Sequence, residues 1–152
     1  MTFGSLEIFY ACLCIAAIIP VFVVNRHLFS GAEGRKTNLI EVLLVLFGVP
    51  ALIIGWYHNI TYMNVYGDQA GWWHWTSLLF VNPASASGGQ DLIFANLLLF
   101  PLWNMVEGRR HGMKIWWWYF PMSLLTSYAF GIALFMMMQL RQMRVNKTTR
   151  IA

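Results

Sequence analysis

Residues 39–56 read LIEVLLVLFGVPALIIGW, eighteen positions with a single ionisable side chain, Glu41. No face of a helix built from them would be polar, and none of them alternates as a half-buried strand would. A helix of roughly 20 apolar residues matches the hydrocarbon core of a bilayer. The stretch therefore predicts a membrane-spanning helix over about 39–57.

Working outward, comparable apolar runs predict helices over about 6–24, 90–107 and 115–140. The expected fold is all-α, an integral membrane four-helix bundle forming one domain over residues 1–152. The third run is the shortest, and its Asn96 and Asn104 suggest screening by neighbouring helices. Pro20, Pro50, Pro101 and Pro121 place one proline in each run, where kinks and freed carbonyls follow. The segment 70–81, with Trp72, Trp73, His74 and Trp75, is too short to cross and too apolar for water. It reads as an aromatic-rich interfacial piece between helices two and three, its indoles at headgroup depth.

Composition agrees. The chain has 152 residues, 59% hydrophobic and 11% charged, where soluble domains carry about 25% charged residues. Its formal charge of +4 comes from short basic clusters beside apolar runs, which suits lipid headgroups and not a nucleic-acid surface. Cys12 and Cys14 lie two apart in the first run, on nearly opposite sides of a helix, so they are expected to pack, not to pair. Met1 to Glu7 holds no Lys or Arg, so the n-region of a cleaved signal peptide is missing and a retained helix is expected.

Loop charge sets orientation. The first connection carries Arg26, Arg35 and Lys36, the third Arg109, Arg110 and Lys114, and the long connection 57–90 has neither Lys nor Arg. The N-terminus and the 57–90 connection are thus expected outside. One feature conflicts with four crossings: the tail, with Arg141, Arg144, Lys147 and Arg150, would also lie outside.

Candidate chemistry is sparse. Asp91 follows a Gly-Gly-Gln turn and is expected to open the third helix, either as a cap or as a polar group facing a ligand pocket. Glu107 precedes Arg109, Arg110 and His111 at spacings that allow an ion pair or a headgroup contact. Asp91 and Glu107 lie sixteen residues apart, roughly 24 Å along a helix, too far to act as an acid–base pair. Glu41 is expected at the interface. His58, Trp72, Trp73, His74, Trp75, Asp91 and Asn96 are candidate ligand-binding residues; no metal-ligand spacing joins the histidines and acids. Ser123, Ser127 and Gly131 recur every fourth residue, a small-residue stripe suited to close helix packing.

From about Leu43 to Arg144 the chain resembles a family of small multi-pass bacterial membrane proteins known as domain of unknown function 2834. The matching pieces are Phe80-Val81-Asn82-Pro83-Ala84-Ser85-Ala86, Asp91, Val106-Glu107-Gly108-Arg109-Arg110-His111-Gly112-Met113-Lys114, and a helix ending at Leu140-Arg141. A Pro-Leu-Phe-Leu run of the family is replaced by Phe135-Met136-Met137-Met138, and the first helix is an addition. The resemblance implies a membrane bundle and marks Asp91, Glu107, Arg109 and Arg110; it implies no activity.

The residues favour a small non-catalytic accessory subunit of a bacterial inner or plasma membrane, or of a photosynthetic one. It would assemble with other membrane subunits or itself, or hold a lipid, quinone, carotenoid or chlorophyll. The alternative is a membrane-embedded enzyme acting on an isoprenoid or lipid, with Asp91 as acid and His58 or His74 assisting. No ionisable group sits at the middle of a run, which disfavours a transporter or channel.

Overall fold

A computed structural model describes residues 4–30 and 36–151, with side chains up to Lys147. Arg35 and the side chain of Arg150 fall outside what it describes. Among the described residues all regular structure is helical. Helix α1 covers Ser5–Val24 and runs into a short 3₁₀ turn at Arg26–Phe29. Helix α2 covers Leu39–Tyr66, capped by Asn38, whose side chain accepts from the Glu41 N–H at 2.9 Å. It stops where Gly67 takes φ +48°, a left-handed conformation that favours glycine.

Helix α2 is nine residues longer than the apolar run predicts, carrying the chain through His58 to Tyr66. Helix α3, Trp72–Leu78, is the aromatic segment. Helix α4, Pro83–Ile93, passes through a π-helical turn, Phe94–Leu99, into α5, Phe100–His111. Pro101 lacks an N–H, and its ring crowds the carbonyl four residues earlier; the widened turn lies just before it. Helix α5 ends at Gly112, φ +70°, with the Met113 N–H bonded to the Gly108 carbonyl at 2.9 Å, a Schellman-type stop.

The fourth run departs from the expected single helix over 115–140. A 3₁₀ turn at Trp116–Trp118 leads into α6, Tyr119–Leu125, and the chain breaks at Thr126–Ser127 before α7, Tyr128–Ile151. Thr126 sits at φ −110°, ψ −90°, and its hydroxyl bonds back to the Met122 carbonyl at 2.8 Å. The Ser123 hydroxyl bonds back to the Phe120 carbonyl at 2.7 Å. Such back-bonding weakens a helix locally, and here it accompanies a reversal of direction.

The two arms then face each other. A Cβ at Gly131 on α7 would lie 2.5 Å from the Ser123 Cβ on α6. Ser123, Ser127 and Gly131 therefore do not line one face of one helix. Ser123 and Gly131 meet across the hairpin, and Ser127 turns toward Gly55 of α2, whose Cβ would be 3.7 Å away.

Helix α2 runs antiparallel to α7. Glu41 meets Arg141 and Arg144, Gly48 meets Ala133, and Gly55 meets Ser127. The fourteen residues from Glu41 to Gly55 rise about 21 Å, and α2 continues well beyond that level. The 113–141 hairpin thus enters the bundle from one end, turns about midway along α2, and comes back. Its core is aromatic and sulfur-rich, with Phe100, Met122, Phe135 and Met138 all at 2% exposure or less.

Among the described residues two helices are long and apolar enough to cross a membrane, α1 and the 39–69 helix, each with an 18-residue window of mean hydropathy 2.4. Only 22% and 11% of those windows are buried. A core helix of a water-soluble domain would be mostly covered; Leu39, Phe47 and Ile53 on α2 are 73%, 70% and 63% exposed.

Closure of the hairpin at Gly131 is testable. Gly131→Val should lower the detergent-solubilised melting temperature by the equivalent of about 1–3 kcal/mol of overpacking. Gly88→Ala, where a Cβ meets nothing within 4 Å, should leave it unchanged or slightly raised. Equal melting of the Gly131 variant and the parent, followed by tryptophan fluorescence, would refute the close packing of the two arms.

Candidate functional site

Most of the charged side chains collect at the two ends of the bundle. At one end Glu41, 1% exposed, receives Arg141 at 2.7 Å and also Arg144. Arg144 additionally donates to the Lys36 carbonyl at 2.6 Å, and the Arg141 guanidinium lies 4.4 Å from the Phe29 ring centroid. Burial lowers the Arg141 pKa from its ordinary value, yet a guanidinium stays charged at any physiological pH. Glu41 is therefore a buried clamp at the end of the bundle, its carboxylate turned to the guanidiniums of α7.

A second acid organises the neighbouring corner. Glu107 Oε1 takes Arg110 at 3.3 Å, while Oε2 takes His111 Nε2 at 3.2 Å and Gln139 Nε2 at 2.8 Å. Asn146 donates to the His111 carbonyl at 2.9 Å, tying the far end of α7 to the end of α5. Arg109 lies over the Trp116 ring at 5.0 Å. Gly108 is needed beneath it, because a Cβ there would collide with the Trp116 side chain. Asn25 donates to the Val21 carbonyl at 2.8 Å and to Tyr119 Oη at 3.4 Å, and Trp118 Nε1 to the Ala17 carbonyl at 2.8 Å.

These contacts place the segments after α1, after α5 and along the second half of α7 at the same end. Arg26, Lys36, Arg109, Arg110, Lys114, Arg141, Arg144 and Lys147 all belong to it. The tail is not at the end opposite the first and third connections, as four crossings would require.

The opposite end is aromatic and acidic. Tyr62 Oη lies 2.9 Å from His74 Nδ1 and accepts the Gly71 N–H at 3.0 Å. The His74 ring packs on Tyr66 at 4.5 Å and stacks on Tyr62 at 5.7 Å. Trp72 and Trp73 are 56% and 88% exposed, and Trp75 is half-buried beside Trp72. Glu7 and Asp68 line a cavity of about 420 Å³ there.

Asp91 does not open a helix. Asn82 caps α4 eight residues before the expected start, accepting the Ser85 N–H at 2.9 Å. The Gly88-Gly89 pair does not break the helix; Gly89 lets it approach Leu79, whose Cβ a new methyl would meet at 2.8 Å. Asp91 is exposed near the end of α4 and accepts from Gln90 at 2.5 Å. His58 is exposed, edge-on to Tyr57 at 5.2 Å. Among the described residues, the contacts of His58, His74 and Asp91 join each to its own surroundings and not to one another. Asn96, by contrast, reaches the hairpin, accepting the Ser123 hydroxyl at 3.1 Å.

Sequence reasoning missed Glu41 with Arg141 and Arg144, and Asn25 with Tyr119. Their partners are about a hundred residues distant, and only one signal pointed that way. A basic tail on the wrong side of four crossings says that one run turns back.

The class defined by this arrangement is an all-helical protein with two exposed helices able to cross a membrane. Residues 42–141 match the family described as Protein of unknown function DUF2834, and the chain belongs to that family. No curated protein and no solved structure matches it. Helix α1 precedes the matched region, whereas the Asn82 cap and the Glu107–Gly112 corner lie inside it.

Removing the carboxylate clamp should be costly. Glu41→Gln strands two guanidiniums and should destabilise by about 3–5 kcal/mol. Arg110→Gln, whose side chain is 72% exposed, should cost about 1 kcal/mol or less. Similar melting temperatures for the two variants would show that Glu41 is not the clamp.

Proposed function

We propose that this is a polytopic membrane protein in which α1, α2 and the continuous α4–α5 rod cross the bilayer. The 113–141 hairpin enters from the basic side and returns to it. The N-terminus and the 57–82 connection then lie outside and the C-terminus inside. The observation carrying this reading is the one-sided charge. Every described Lys and Arg stands at one end, which is the distribution cytoplasmic segments carry. The outer half, 57–90, has none. Such an arrangement also relieves the conflict that a fourth crossing creates at the tail.

Within that membrane the chain serves as a non-catalytic accessory subunit. Support comes from the uncovered apolar flank of α2 and from a polar inventory spent on holding the bundle together, in the Glu41 and Glu107 clusters. The exposed flank would meet other membrane subunits, a second copy, or lipophilic molecules such as a lipid, quinone, carotenoid or chlorophyll.

Two measurements test the reading. Reporter fusions after residue 152 should give a fluorescent green protein and an inactive periplasmic phosphatase, while insertions near Gly71 should give the reverse. A periplasmic C-terminus would restore the fourth crossing and sink the hairpin topology. Purification from native membranes in mild detergent should bring other subunits or a lipophilic cofactor along; a lone, ligand-free monomer would count against the accessory role.

A further inference from the structure

An open groove of about 470 Å³ runs between α5 and α7, lined by Leu99, Trp103 and Val106 on one side and Tyr128 and Ile132 on the other, with Phe100 at its floor. Its surface is almost wholly apolar. Leu99, Trp103 and Val106 are 63%, 50% and 56% exposed, so none of the described residues covers it.

The helical register determines what stands at its mouth. Leu99, Trp103, Val106 and Arg110 follow one another at spacings of four, three and four, a single stripe along the rod. The groove therefore ends, about 16 Å from Leu99, at a cation on the basic end. Arg110 is 72% exposed and touches only one oxygen of Glu107, whose other oxygen is held by His111 and Gln139. Turning Arg110 outward leaves Glu107 with two partners, so the guanidinium is available to a second anion. Arg109 and Lys114 are exposed close by in the chain.

We propose that this groove and Arg110 together form a site for one anionic phospholipid, an acyl chain lying along Leu99–Val106 and the phosphate facing the guanidinium. Charge complementarity selects the occupant. An apolar chain alone would fit the groove, but only a headgroup of net negative charge uses the cation at its mouth. The inference rests on the membrane reading given above and names a ligand for it.

Full-length protein in detergent, mixed with phosphatidylglycerol or phosphatidylcholine, can be read by native mass spectrometry for retained lipid. Phosphatidylglycerol should be retained about fivefold more, the factor one basic side chain contributes near an anionic surface. Arg110→Gln should abolish the preference, Val106→Trp should lower retention of both lipids by filling the groove, and Arg26→Gln, at the same end but after α1, should change neither. Equal retention of the two lipids by the parent, or an undiminished preference in Arg110→Gln, would overturn the site. Carbonate extraction separates this from the broader reading. A chain released from membranes defeats both, whereas a chain that stays integral yet shows no preference defeats the lipid site alone.

Discussion

A carboxylate with 1% of its surface exposed, held between two guanidiniums from a helix a hundred residues away, constrains everything around it. Taking such charges out of water costs several kcal/mol per ion, and the cost is recovered only when geometry and further hydrogen bonds are good. Here the extra partners are present: the Lys36 carbonyl for Arg144 and the Phe29 ring for Arg141. Glu41 and its partners thereby fix the level of α7 against α2, and with it the depth at which the 113–141 hairpin must turn. An apolar pair would hold the helices together at several registers. A buried ion triad tolerates very few, because sliding by one turn leaves a charge unpaired.

That constraint explains what could be read from the chain beforehand and what could not. The existence of α1 and α2 follows from long apolar runs, and neither needs a tertiary partner to be recognised. The aromatic 70–81 segment was legible from its Trp-Trp-His-Trp cluster, and Trp72–Leu78 within it is helical. Local i, i+3 and i+4 spacing was enough to relate Glu107 to Arg110 and His111. The start of α4 was misjudged because Gly88-Gly89 resembles a breaker, while the side chain of Leu79, which makes glycine useful there, comes from the turn after α3.

The break at Thr126–Ser127 is harder still. It contains neither glycine nor proline, and its cause is hydroxyl back-bonding combined with what the far end of the hairpin must reach. Hydropathy measures whether a segment suits hydrocarbon, not whether it passes through or returns. Charge at the segment's two ends carries that second kind of information. A run flanked by Lys114 on one side and Arg141 on the other has the same sign at both, and only a reversal lets both lie on one side.

A hairpin that turns partway changes how the bundle holds together. Inside a membrane, apolar surface gains nothing by leaving lipid, so association depends on close packing and on polar contacts. Small residues sit where that demands: Gly131 against Ser123, Gly48 against Ala133, Gly55 against Ser127. Each lets a backbone approach at the level where α6 and α7 meet each other or α2. The hydroxyls that loosen the helix at its turn do not go unpaired: the one Ser123 proton is shared between the Phe120 carbonyl and Asn96 Oδ1 in the π-helical turn of the neighbouring rod. The π-helical turn 94–99 and the α6 arm of the hairpin are thus linked through one side-chain contact. The same economy leaves the outer flank of α2 without a protein neighbour among the described residues. A flank so apolar is stable against acyl chains or against another membrane helix, and in water it would drive aggregation.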